Sequence, residues 1–247
     1  MPQAKSFTFD TYKINTKRSV ITFTYKVELG YGIKKTFTDK LSFPAISKDQ
    51  WEKIPKDALE PALQALLIMV GINYWCAFPT KNIRINGFTL SREQAQFWNS
   101  LYLNGLGEFF YDMKMDFQDL INFPYDENYQ APIPPKFDLR ERSLLLNGAG
   151  KDSILSAEIL KASNTPFDFF AFAPTPAHKR IAKIANAETI EVTRSRDPLL
   201  EIIMTYSGIS NSYPSVSTFT FVAVLLAEVL GYKSIIFSNE RSADFGN

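Results

Sequence analysis

The sequence predicts an α/β chain in which an α+β amino-terminal part precedes a half built on a parallel sheet. Three observations carry this reading. A strictly alternating segment lies near the start, four prolines interrupt the middle, and short apolar strands alternate with helical segments after residue 139. Such alternation implies a parallel sheet covered on both faces, with ligands at the carboxyl ends of its strands. The expected organisation is an amino-terminal domain over 1–123, a linker over 124–138 and a second domain over 139–247 that ends as an incomplete sheet.

The elements follow in order. In Val20–Leu29, Ile21, Phe23, Tyr25, Val27 and Leu29 fall on one face, and Thr22, Thr24, Lys26 and Glu28 on the other. Gly30 and Gly32 then allow a turn into Ile33–Thr38, which predicts a hairpin. The spacing of Leu59, Leu63, Leu66, Leu67 and Val70 predicts a helix over Asp57–Ile72 with Asp57 as N-cap. Ser91 caps a second helix over Ser91–Met113, with Gly105 and Gly107 as its breaking points. Pro124, Pro132, Pro134 and Pro135 exclude helix interior or central strand, hence the linker. Beyond it, strands are expected at Ser143–Leu146, Phe167–Ala173, Thr189–Val192 and Ser234–Phe237. Helices are expected at Ser153–Ala162, Thr175–Ala187 and Thr218–Leu230.

Composition narrows the function classes. The 27 Lys and Arg against 26 Asp and Glu leave a net charge of +1, without the basic excess of a nucleic-acid binder. One Cys (Cys76) and one His (His178) cannot build a zinc finger, a three-His metal site or an iron–sulfur ligand set. Ala62–Phe78 and Val216–Leu230 are the most membrane-like stretches, and polar residues keep both short of a clean span of about 20 residues. The expectation is a cytoplasmic protein with no nucleic-acid or membrane partner. Cys76, among Tyr74, Trp75 and Phe78, reads as a buried structural thiol, and His178 as a surface residue at a helix start.

The sharpest local signal is Asn147-Gly148-Ala149-Gly150-Lys151-Asp152-Ser153, running from an apolar strand straight into a helix. Small residues let the backbone approach a ligand, and the unpaired N–H groups of a helix's first turn attract an anion. Lys151 adds positive charge, Asp152 can hold a divalent metal, and Ser153 offers a hydroxyl to phosphate. A Walker A loop is excluded, because Asp152 follows Lys151 and Leu145 stands where its first Gly belongs. The dinucleotide fingerprint is excluded by Ser153 at its last Gly position.

What remains resembles the PP-loop of the ATP pyrophosphatases, SGGxDS, matched at Gly150, Asp152 and Ser153; Gly148 replaces its Ser and Ala149 its middle Gly. Together with the runs Gly71–Trp75 and Tyr102–Phe109, Arg194, Arg196-Asp197-Pro198 and the terminal Ser238-Asn239-Glu240-Arg241-Ser242-Ala243, the chain resembles the UDP-N-acetyl-α-D-muramoyl-L-alanyl-L-glutamate epimerases. That family continues well beyond this last segment, so the resemblance implies an amino-terminal fragment or a truncated relative. It also usually carries an Asn-Gly-His-Val-Pro-like segment where this chain reads Asn211-Ser212-Tyr213-Pro214-Ser215-Val216.

The resemblance implies an adenine-nucleotide α-hydrolase-like second domain. It implies ATP and magnesium as cofactors and inversion of the terminal L-glutamate of the nucleotide-linked muramoyl dipeptide, with AMP and pyrophosphate released. Acyl-adenylation makes the α-proton acid enough for side-chain bases. Gly148, Ala149, Gly150, Lys151, Asp152 and Ser153 are then the nucleotide site, and Asp152 the magnesium ligand. Asn239, Glu240, Arg241 and Ser242 are candidate substrate contacts, with Glu240 and Arg241 the candidates for catalysis. Two alternatives stay open: another adenylating ATP pyrophosphatase of ligase or thiolase type, and a nucleotide-binding relative without catalysis.

Overall fold

The computed structural model describes residues 4–133, 135–136, 139–210 and 214–239. The alternating segment becomes strand β2 (Val20–Leu29), which lies between β1 (Ala4–Asn15) and β3 (Lys34–Ser42) in an antiparallel meander. Ile21, Phe23, Tyr25 and Val27 are buried on one face, as the period of two requires. A short β4 (Ile83–Ile85) adds to β1 in parallel. After residue 139, strands β5 (Arg140–Leu146), β6 (Phe167–Phe172), β7 (Thr189–Ser195) and β8 (Tyr232–Ile236) pair in parallel.

Three residue pairs, Lys40–Ser195, Leu41–Arg194 and Ser42–Thr193, join β3 antiparallel to β7. The described residues therefore form one mixed sheet of eight strands in the order β4-β1-β2-β3-β7-β6-β5-β8. The Pro-rich segment separates the two halves along the chain, and the β3–β7 pairing joins them in space.

Helices α1 (Lys48–Lys53) and α2 (Lys56–Ala77) follow the meander. Helix α2 differs from the Asp57–Ile72 expectation: Pro55 stands at its cap, and it runs on to Ala77. The extension is invisible to periodicity because Leu66–Ala77 is buried on every side, between β1 and β2 and a later helix. By length and composition this one helix could cross a membrane, yet most of that window is buried inside the protein. Gly71 lets it approach the sheet, since a Cβ there would lie 2.6 Å from ring atoms of both Phe9 and Tyr25.

Ser91 caps α3 (Arg92–Gly105) with a reciprocal Ser91–Gln94 box, and the expected break separates α4 (Gly107–Asp112). The second half supplies α5 (Lys151–Ala162), α6 (Pro176–Ala185), α7 (Pro198–Ser207) and α8 (Ser215–Leu230). Helix α7 was not expected, although Asp197-Pro198 is a cap followed by an N1 proline.

One core cluster reaches from Phe7 and Tyr25 of the meander to Leu144, Phe170 and Val222 of the second half. A smaller one lies under α5 and α6, with Leu145, Phe169 and Ile181. Leu144 and Leu145 thus face opposite layers, as a strand covered on both sides requires.

Candidate functional site

The route of the chain around β5 sets the site. From β5 it passes through α5 to β6 and through α6 to β7, always in one direction. It then returns through α7 and α8 to pair β8 on the other flank of β5. The order reverses between β5 and β8, and in open sheets ligands bind in the crevice at the carboxyl ends of the strands at that switch point. Two segments emerge there: Asn147–Ser153 after β5, and Phe237-Ser238-Asn239 after β8. Leu145 pairs with Ile236, and three residues beyond them on their chains stand Gly148 and Asn239.

The loop after β5 is held by its own side chains. Asn147, 1% exposed, accepts the Ala149 N–H at Oδ1 (3.0 Å) and donates from Nδ2 to the His178 carbonyl (3.2 Å). The buried Ser153 accepts the Gly148 N–H at Oγ (2.9 Å), which leaves its own hydroxyl proton to donate. Ala149 has φ of 60°, the conformation a glycine adopts without strain. Gly150 opens α5 with extended backbone and no side-chain cap, and nothing lies within 4 Å of where its Cβ would sit.

The start of α5 thus has no side-chain cap, and the helix dipole adds positive character there. Lys151 is exposed and Asp152 half-buried in that turn. A magnesium ion commonly takes one or two carboxylates together with phosphate oxygens and water. A single Asp152 beside an uncapped helix start fits that demand.

Around the loop, the Oγ of Ser238 is buried without a hydrogen-bond partner among the described residues, and Asn239 is exposed. Glu240, Arg241 and Ser242 lie outside the described residues, as do Asn211–Tyr213. Beyond β6, His178 serves α6: its Nδ1 accepts the Thr175 N–H (3.0 Å) and contacts Thr175 Oγ1 (2.8 Å). Gly105 approaches Pro214, whose Cβ and Cγ lie 3.5 Å from where a Cβ on Gly105 would be. The Tyr102–Phe109 run thus meets the border of the 211–216 segment. Glu108 is exposed on α4, and Cys76 is fully buried, which holds its thiol well above the usual range.

Arg194 points into the core, away from any open cradle. Its guanidinium donates to both oxygens of the fully buried Asp39, to Asn73 Oδ1 (2.9 Å) and to the Val70 carbonyl (2.9 Å). Burial alone would lower its pKa, but the Asp39 carboxylate more than offsets that and the net shift is upward. β3, β7 and α2 are pinned together by this one side chain. Asp39 had a signal of its own, a carboxylate on the same strand phase as Phe37 and Leu41. Ser238 had none beyond its place after a strand.

A family described as the MurL N-terminal domain matches residues 1–247. The chain belongs to that family. An epimerase of Xanthomonas oryzae pv. oryzae, named UDP-N-acetyl-alpha-D-muramoyl-L-alanyl-L-glutamate epimerase, is 29% identical over 190 residues, 77% of this chain and 42% of that protein. A protein of the same name from a Micromonospora species is 25% identical over 249 residues, covering 98% of this chain and 54% of that protein. The Salinispora tropica protein of that name is 22% identical over 244 residues, 98% of this chain and 52% of that one. The chain thus spans about half the length of the curated relatives it matches. No solved structure matches it. In this MurL N-terminal domain, then, the glycine loop, Ser238 and Asn239 share one strand edge, while Arg194 serves the junction of the two sheet halves.

Proposed function

We propose that this chain supplies the ATP site of an epimerase acting on the nucleotide-linked muramoyl dipeptide, in peptidoglycan precursor synthesis. The observation that carries the reading is the uncapped start of α5 behind the Gly148–Ser153 loop, at the switch point of a parallel sheet. Membership of the MurL N-terminal domain family and three relatives named as epimerases of that substrate support it.

In this reading residues 139–247 act as a PP-loop domain and the α5 N–H groups hold the phosphates. Asn147 and Ser153 keep the loop in shape, and Asp152 holds magnesium, which neutralises charge on the phosphates when bound. An oxygen of the terminal glutamate's α-carboxylate bonds to the α-phosphorus of ATP and pyrophosphate leaves. The acyl-adenylate withdraws electrons from the α-carbon, a base removes its proton, and a proton returns on the opposite face. Hydrolysis then frees AMP and the D-glutamyl product. Asn239, Glu240, Arg241 and Ser242 are assigned to substrate contact, with Glu240 and Arg241 candidates for the proton transfers. The enzyme acts in the cytoplasm, where nucleotide-linked precursors and ATP are at hand.

Calorimetric titration with magnesium–ATP, alone and with the muramoyl-dipeptide nucleotide, tests this. Saturable binding is expected, and Asp152→Ala should weaken it at least about tenfold without unfolding the chain. An unchanged affinity in that variant removes Asp152 from the metal site, and a folded chain giving no heat removes the phosphate loop. Pyrophosphate released only with the dipeptide substrate supports the epimerase. ATP bound without turnover in any extended form of the chain supports instead a nucleotide-binding relative.

A further inference from the structure

The alternation that buries Phe7, Phe9, Tyr25 and Phe37 turns a second set of residues to the opposite face of the meander. Strand register aligns Arg84, Thr8, Lys26 and Thr36 in one row across four strands. Beside it, Ser6, Glu28 and Lys34 form a second row across three. The two rows and Lys35 line one cavity of about 350 Å³.

Its charge is unbalanced. Lys26 is paired with Asp10 at 2.9 Å, but Lys34 and Arg84 have no ion pair among the described residues, and Glu28, level with Lys34, is the one carboxylate in the lining. In a chain of net charge +1, two unpaired cations flanking a third around one cavity are a local concentration that composition does not explain. Ser6 and Thr8 are buried in its floor, 2% and 9% exposed, and add hydroxyls.

The position separates this cavity from the glycine loop. Lys40 is level with Ser195, so Thr36 and Lys34 stand about 13 and 20 Å beyond the end of β7 at the usual strand rise. Leu146 is level with Phe170 and, through it, with Ile190, a further five residues back. Gly148 stands two residues nearer, so the cavity and the loop lie about 23–30 Å apart along the strand direction.

We infer that this cavity is a second anion site, independent of the glycine loop, that takes the diphosphate group of a small ligand. Lys34 from β3 and Arg84 from β4, on either side of Lys26, give two separate positive charges, as the two phosphoryl groups of a diphosphate require. A volume of about 350 Å³ fits a small molecule rather than a nucleic-acid backbone.

The test is an amide-resolved NMR titration of the whole chain with inorganic pyrophosphate at 150 mM salt, where long-range attraction is screened beyond about 8 Å. Saturable shifts are expected at Thr8, Lys26, Thr36 and Arg84, with inorganic phosphate binding more weakly. The double variant Lys34→Gln/Arg84→Gln should weaken them at least about tenfold, while any shifts at Gly148–Ser153 persist. Asp152→Ala should leave the shifts at the cavity unchanged, which keeps a failure here distinct from a failure of the nucleotide site. Tighter binding of UDP than of pyrophosphate would identify a nucleotide-linked diphosphate as the source, and equal binding a free one. Shifts that never saturate, that survive the double variant, or that phosphate reproduces at equal concentration would overturn the inference.

Discussion

Ala149 holds a left-handed backbone conformation that an L-residue other than glycine adopts only at a cost. The loop keeps it there through the Asn147 and Ser153 hydrogen bonds on either side. Ala149→Gly is therefore expected to stabilise the chain by about 0.5–1 kcal/mol in denaturant unfolding, and a loss of stability would mean the conformation is not strained. Glu228 of α8 is a second residue out of balance. Burial pushes its pKa up from 4.5 to about 7, and its Oε2 has no hydrogen-bond partner among the described residues. The folded chain then keeps a proton that the unfolded chain releases, so stability falls as pH rises from about 4.5 through 7. Partial exposure limits the effect to the order of 1 kcal/mol, and Glu228→Gln should abolish it. Denaturation midpoints at pH 5 and pH 8 measure this directly; parallel changes in wild type and variant would assign the pH dependence elsewhere.

Helix α2 shows how far one element depends on one missing atom. With a Cβ of residue 71 at 2.6 Å from two aromatic rings, Gly71→Ala must push α2 off the sheet or turn Phe9 and Tyr25. The expected cost is about 1–3 kcal/mol by urea denaturation, and a change of only a few tenths would show that α2 can shift freely. The same helix marks the limit of reading elements from sequence. Its first three turns carry an apolar stripe, but from Leu66 onward burial is all round and periodicity has nothing to detect. Segments with one wet face, such as β2, were legible at both ends. Strand β7 was read only to Val192, because Thr193, Arg194 and Ser195 are polar in sequence and are strand through pairing with β3. The glycine loop was legible because a strand, three small residues and a helix start are adjacent in the chain. Ser238 and Asn239 join it only through the β5–β8 register.

At the scale of the molecule, the shared core and the β3–β7 pairing couple the two halves on either side of the Pro-rich segment. Scanning calorimetry is expected to give one unfolding transition, with calorimetric and van't Hoff enthalpies in agreement. Two resolved transitions would identify residues 1–123 and 139–247 as separately stable units. The sequence showed two halves because their periodicities differ. It could not show what holds them together, since Asp39 and Arg194 are 155 residues apart. That separation also has a meaning in time. At roughly 5–20 residues per second, a ribosome exposes Arg194 some 8–30 s after Asp39. Throughout that interval the amino-terminal meander and α2 must wait with a carboxylate on their apolar side and no cation to meet it. Burying Asp39 as a carboxylate without its partner is costly, so the first half is expected to close its core around that charge only as the second delivers β7.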